Sequence, residues 1–163
     1  MMGFALFALA MPAILIAALS PSERPAGLAT LGAVPIIEFM AVSVGIGPGL
    51  NPLVSFFLTV FPCMGLCMLV TGIIVFLGGS SARMGRFLDG IQKRTDKYPR
   101  LKKYGVASDF LFVMFLGIYI APALSTLLGW HRLRAMVFLA SGLASITALI
   151  GLATIGIIDL FFI

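Results

Sequence analysis

The chain has 163 residues, of which 61% are hydrophobic and only 10% are charged, with a net charge of +5. A soluble domain carries about 25% charged residues, so this chain has too little polar surface to face water on all sides. The composition predicts a single integral membrane domain over residues 1–163. It argues against nucleic acid as a partner, because basic residues beside apolar spans are expected to meet anionic lipid headgroups.

The first apolar stretch, residues 1–19, has no basic residue ahead of it and no convincing small-residue cleavage site. We therefore expect a retained first span rather than a signal peptide. The sequence of residues 26–77 predicts a broken helical segment followed by a continuous membrane span. The broken part, residues 26–47, runs into GIGPGLNP, where glycines and prolines oppose a continuous helix. The positions predicted to form a hinge or hairpin are Pro35, Gly45, Gly47 and Pro48.

A basic loop, residues 80–103, holds eight of the eleven basic residues. Apolar residues recur in it at spacings of three and four, which predicts a short amphipathic helix lying in the membrane interface. Because short basic loops stay inside the cell, we expect this loop to be cytoplasmic and the protein to lie in the cell membrane. The side chains expected to contact lipid headgroups are Arg83, Arg86, Lys93, Arg94 and Lys97.

Residues 104–158 predict a second broken segment followed by a final span. Asp109 lies near the start of the broken segment, residues 104–130, and Pro122 is expected to interrupt it. The sequence HRLR, residues 131–134, then adds two basic residues. Trp130 is expected in the aromatic belt at the membrane interface.

Two arrangements of the five apolar segments remain open. If all five are plain transmembrane helices, HRLR lies outside, against the positive-inside tendency. If residues 26–47 and 104–130 are re-entrant, ten of the eleven basic residues lie inside and only Arg24 lies outside. The charge bias favours the second arrangement. It is an all-α fold of three continuous transmembrane helices and two broken or re-entrant hairpins in an inverted repeat, an architecture typical of secondary transporters.

The sequence VPIIEFMAVSVGIGPGLNPL, the linker ending in KKYG and the run FVMFLGIYIAP resemble the small multidrug export family, which is similar to the DedA/VTT-like group of membrane proteins. The resemblance covers roughly residues 32–156. It implies two re-entrant hairpins flanked by spans, and transport of ions or lipids. Two features depart from the family pattern. Met40 stands where an arginine is expected after Glu38, and Pro122-Ala123-Leu124-Ser125 replaces a proline-glycine-threonine-glycine turn.

Two carboxylates are the candidate substrate- or ion-binding groups. A charged side chain at membrane depth costs about 2.5–3.5 kcal/mol, so Glu38 should be protonated, paired or hydrated. Glu38 either binds a proton or cation in a cavity between the hairpins or caps backbone amides near a hairpin mouth. Asp109 is either its symmetry mate or an interfacial residue paired with Lys102 or Lys103.

We expect no enzyme activity, because the sequence shows no Ser/His/Asp or Cys/His constellation. Cys63 and Cys67 lack further soft ligands nearby, so we expect no metal site, and no cofactor is predicted. The predicted function is a small secondary transporter, or a translocase of lipids or small molecules. The alternative is a non-catalytic accessory subunit packed within a larger membrane complex. The expected partners are membrane lipids and either further copies of the chain or other membrane subunits.

Overall fold

The computed structural model describes residues 2–80, 85–86, 90–91, 93 and 99–162, and its regular secondary structure over these residues is helical. The elements are α1 (Met2–Ala18), α2 (Arg24–Ile37), a 3₁₀ turn (Glu38–Met40), α3 (Ala41–Ile46), α4 (Pro52–Ser80), α5 (Pro99–Leu127) and α6 (Arg132–Phe162). No strand occurs in the described ranges, which confirms the all-α class.

Within the described residues, four helical stretches are long and apolar enough to cross a membrane: Arg24–Ile46, Pro52–Ser80, Ala107–Leu127 and Leu133–Leu160. The predicted first span forms α1, which has 17 residues and is not among the four. Large apolar side chains face outward, with Ile36 80% exposed and Phe115 81% exposed. Such surface is stable against lipid and not against water, so the helices fit a multi-pass membrane protein.

Between residues 81 and 98, the basic loop is described at five positions. Gly85, Arg86, Gly90, Ile91 and Lys93 are helical, and the side chains of Arg86 and Lys93 are exposed while Ile91 is half-buried. Arg83, Arg94 and Lys97 lie outside the described residues. The interfacial helix and its headgroup contacts therefore stay predictions.

The chain divides into two compact units. The first consists of Met1–Gly65 and Leu143–Ile163, and the second of Leu66–Gly142. Each unit therefore contains one interrupted helical segment, together with one part of α4 and one part of α6.

In the first unit, α2 packs against α1 and α3. The junction of α1 and α2 is closed by the Arg24 guanidinium, which donates to the carbonyl oxygens of Leu19 at 3.2 Å and Ala17 at 3.3 Å. A cation at the end of a helix satisfies carbonyls that have no partner within the helix. The buried side chains of this unit include Thr30, Val34, Val42, Ser55, Leu58 and Thr147.

In the second unit, buried residues from α4, α5 and α6 form the core. Gly142 of α6 lies so close to α5 that a Cβ there would be 2.6 Å from the carbonyl oxygen of Phe110. Small residues permit such close helix approach in membrane proteins. The buried side chains of this unit include Cys67, Asp109, Val113, Ile118, Ser125 and Trp130.

Candidate functional site

The first interrupted segment breaks at Glu38. Helix α2 ends at Ile37, and Glu38 has φ 53° and ψ −124°. No other described non-glycine residue has a positive φ. An L-residue with positive φ costs about 1–2 kcal/mol because its Cβ crowds the backbone. The half-buried Glu38 side chain therefore occupies a strained position, three residues beyond Pro35, one of the predicted hinge positions.

Beyond this break the chain folds back on itself. A Cβ placed on Gly45 would lie 2.6 Å from Thr30 Oγ1. Residues 15 positions apart in a straight α-helix are separated by about 22 Å. Helix α3 therefore returns alongside α2, and the stretch 24–46 is a helical hairpin with Glu38 at its tip.

Hydroxyl groups surround Gly45, and each of them donates to a backbone carbonyl. Thr30 Oγ1 donates to Ala26 O at 2.8 Å, and Ser55 Oγ donates to Val42 O at 2.8 Å. Gly45 fits because it presents no side chain to Thr30 and Ser55. This contact joins both arms of the hairpin to α4 within the first unit.

The second interrupted segment breaks at Gly117, which is buried and has φ 79° and ψ −179°. This backbone conformation is essentially restricted to glycine. The Ser125 hydroxyl on one arm donates to Asp109 Oδ2 on the other at 2.9 Å. In a straight helix these two residues, 16 positions apart, would be separated by about 24 Å. The stretch 107–127 is therefore a second helical hairpin.

The expected interruption at Pro122 is wrong, since Pro122 lies within the helical return arm and the break falls at Gly117. The proline has no N–H, so the carbonyl of Ile118 loses its helical donor. The thiol of Cys67 donates to that carbonyl at 3.5 Å. A neighbouring helix thus compensates the proline, which removes the need for a break there.

Asp109 is completely buried. Its Oδ2 accepts the Ser125 hydrogen bond, whereas Oδ1 has no hydrogen-bond partner among the described residues. The side chains of Lys102 and Lys103 are outside what the structure describes. A buried carboxyl with one neutral donor and one open oxygen can bind and release a proton or accept a further donor.

The two hairpins end in the same turn, 80 positions apart in the sequence. The amide of Gly49 (φ 94°) donates to Ile46 O, and the amide of Gly129 (φ 68°) donates to Thr126 O. The next amide in each turn also bonds back, from Leu50 to Gly45 O at 3.0 Å and from Trp130 to Ser125 O at 3.3 Å. These are glycine-dependent helix C-caps. Gly47 has a helical φ of −54°, so the conformational role predicted for it belongs to Gly49.

Trp130 does not face an aromatic belt, because it is 5% exposed and stacks on Phe112 with ring centroids 6.2 Å apart. Its indole Nε1 has no hydrogen-bond partner in the described part of the chain. Sequence reasoning missed Thr30, Gly117, Ser125 and Trp130 as site residues. The signal that could have found them is the pair Gly49 and Gly129, each placed just ahead of a long apolar helix.

No protein-family model matches this chain, and no curated protein and no solved structure is significantly similar to it.

Proposed function

We propose that the protein is a small secondary transporter, of ions, small molecules or lipids, in which the two hairpins re-enter the membrane without crossing it. The return arms at residues 38–46 and 118–127 are about 13–15 Å long at 1.5 Å per residue. The hydrocarbon core is about 30 Å thick. Each hairpin tip therefore reaches about the middle of the bilayer and the chain leaves on the side it entered.

This topology makes the two halves an inverted repeat. Helix α4 crosses after the first hairpin, so the second hairpin enters from the opposite side, and α6 crosses back. The matched glycine turns 80 positions apart support the repeat. The positive-inside tendency supports its orientation, since the loop 80–103, Arg132 and Arg134 then all lie in the cytoplasm.

Cysteine labelling tests the topology in a variant without Cys63 and Cys67. Single cysteines at Ser22 and Asn51, both exposed, flank the first hairpin. A re-entrant hairpin predicts that an impermeant maleimide labels both from the same side, and the pair Lys103 and His131 should behave alike from the other side. Asn51 and Ser80 flank α4 and serve as the control, labelling from opposite sides in either topology. Opposite labelling of Ser22 and Asn51 would restore a plain transmembrane helix.

The observation that carries the transport proposal is the Asp109 carboxyl, which is fully buried in the apolar segment of the second hairpin and whose Oδ1 has no hydrogen-bond partner among the described residues. Ionisable side chains in such segments are costly, and they mark proton relays and ion pathways. We infer that Asp109 carries the coupling proton and that Glu38, at the tip of the other hairpin, belongs to the transport pathway.

Transport in liposomes under a pH gradient tests this role, with a cationic dye and a fluorescent-headgroup phospholipid as the two probes. Asp109→Asn keeps an acceptor for the Ser125 hydroxyl but cannot exchange a proton, so we expect gradient-driven movement of the probe to be lost while folding is retained. Ser141→Ala, which removes a hydroxyl bonded to Phe138 O, is the control. Unchanged movement of a transported probe in Asp109→Asn would disprove proton coupling at this site.

The accessory-subunit alternative is favoured by an apolar groove of about 300 Å³ in the first unit, formed in part by Val42, Phe56 and Leu152. Thr147 also lines the groove, and its buried hydroxyl has no partner among the described residues. Side chains from a helix of another subunit would fill this volume. Two results together would select this function: co-purification with unrelated membrane subunits at fixed stoichiometry, and no gradient-driven movement of either probe in liposomes.

A further inference from the structure

A small cavity of about 20 Å³ lies beside Ser125 in the second unit. Its walls include Thr71, Ser125, Thr126, Trp130 and Ala135. A water molecule needs a space of at least about 10–15 Å³ and two to four polar partners. The cavity therefore has the size of a single water, and three hydroxyl-bearing residues and Trp130 are among the residues that line it.

The hydrogen-bonding capacities around this cavity are complementary to water. The hydroxyl hydrogen of Thr71 is donated to Cys67 O at 3.0 Å, and that of Thr126 to Pro122 O at 2.7 Å. Ser125 donates its hydrogen to Asp109. All three oxygens keep lone pairs that can accept. Trp130 Nε1, in contrast, is a buried donor that has no acceptor among the described residues.

We propose that this cavity holds one ordered water molecule, which accepts from Trp130 Nε1 and donates to Ser125 Oγ and to one of the two threonine hydroxyls. An anion is disfavoured, because it would face three lone-pair-bearing oxygens and one donor. An ammonium-type ligand would leave the indole N–H unpaired. Water is both donor and acceptor, so it satisfies both kinds of group.

The water deepens the proposed function, on which this step rests, by giving Asp109 a route for proton exchange. When a proton reaches the cavity water, the resulting hydronium transfers a proton to Ser125 Oγ. Ser125 then passes its own hydrogen to Asp109 Oδ2. The water and the hydroxyl are regenerated, and the carboxylate becomes a carboxylic acid. Release follows the same steps in reverse.

Trp130 is the only tryptophan of the chain, so ¹⁵N-indole labelling of the full-length protein yields a single side-chain NMR signal. In lipid nanodiscs we expect magnetisation transfer from a long-lived water to the indole proton. Ser125→Ala should weaken this transfer several-fold, and Ser141→Ala should leave it unchanged. Should Ser125→Ala fail to fold, the double variant Thr71→Val and Thr126→Val makes the same test, because it removes both threonine hydroxyls to which the water can donate. An indole that receives no transfer from water in the wild-type protein would overturn the proposal.

Filling the cavity provides a second test, because the change in unfolding temperature has opposite signs for a water-filled and a dry cavity. Ala135→Cys adds one sulfur atom at the cavity wall. If water occupies the site, its displacement leaves the indole without a partner, so the unfolding temperature should fall and the water transfer should vanish. A higher unfolding temperature would identify a dry cavity and refute the water site.

The water and the transport function can fail separately. Transport that is lost in Asp109→Asn while the wild-type indole shows no water contact leaves the proposed function intact and refutes the water site. An indole in contact with water while Asp109→Asn transports normally supports the water site and refutes the proton relay.

Discussion

The two hairpins share one backbone plan and place their polar groups differently. In the first hairpin, the residue with positive φ at the break is Glu38, and the residue eight positions earlier is Thr30. In the second, the break is Gly117, and the residue eight positions earlier is the carboxyl Asp109. The fold-back thus needs a positive φ at its tip and tolerates different residues on its arms. A glutamate at the strained tip is not what backbone energetics would choose, and this observation motivates the role proposed for Glu38.

The contact between the arms also differs. Gly45 and Ser125 occupy matching places, as do Ser55 and Ala135, since the turns that flank them align at 80 positions. Each contact contains one serine. In the first unit it is Ser55 of α4, and in the second unit it is Ser125 of the return arm. The space for a serine hydroxyl is therefore a common property of both sites, whereas the helix that supplies it is not.

The largest expected effect is a difference in how a methyl group added at a helix contact changes the stability of the protein in the two units. Gly142→Ala would place a Cβ 2.6 Å from a backbone oxygen of Phe110, so we expect a loss of about 3 kcal/mol, at the upper end of overpacking costs. Gly151→Ala in the first unit would make ordinary contacts with Val42 at 3.6 Å and should be nearly neutral. Unfolding in mixed micelles measures both variants. Equal losses would mean that close helix approach does not distinguish the two units.

The tip of the second hairpin depends on a glycine conformation. Gly117→Ala forces a side chain into a conformation that only glycine adopts easily, so we expect a loss of about 2 kcal/mol. Gly72→Ala, on α4 with open space around the added methyl, is the matched control and should not destabilise the protein. A harmless Gly117→Ala would show that the break does not depend on this residue.

The equivalence of Gly45 with Ser125 and of Ser55 with Ala135 can be tested by changing both positions of the first unit together. Gly45→Ser alone should clash with both Ser55 and Thr30, whereas combining it with Ser55→Ala removes the clash with the Ser55 hydroxyl and gives the serine and alanine pair found at Ser125 and Ala135. We expect a coupling of about 1.5 kcal/mol in the double-mutant cycle, in favour of the combined variant. Additive effects in the same unfolding assay would contradict the equivalence of the two sites.

The smallest expected effect is a gain. Glu38→Gly relieves the strain at the first tip and makes it resemble Gly117, so we expect about 1 kcal/mol of added stability. The same variant should lose transport in liposomes if Glu38 belongs to the pathway. Glu38→Gln retains the strain and isolates the role of the charge. A Glu38→Gly protein that is less stable than the wild type would mean that the contacts of the carboxylate outweigh the strain.

The sequence by itself determined the class of the protein. Its low charge and long apolar stretches specify helices in a membrane, and the glycines and prolines around residues 35–48 indicate an interrupted segment, because these are properties of short stretches of chain. Hydropathy cannot distinguish a hairpin from a span, since both bury the same apolar residues.

Only the tertiary structure decided where the breaks fall and which side chains meet. The carbonyl of Ile118, which Pro122 leaves without a helical donor, is bonded by the thiol of Cys67, 51 positions earlier in the chain. Asp109 meets Ser125 only because Gly117 reverses the chain between them, and Trp130 is buried because Phe112 stacks on it. Each of these contacts depends on distant residues being brought together, which no local pattern records.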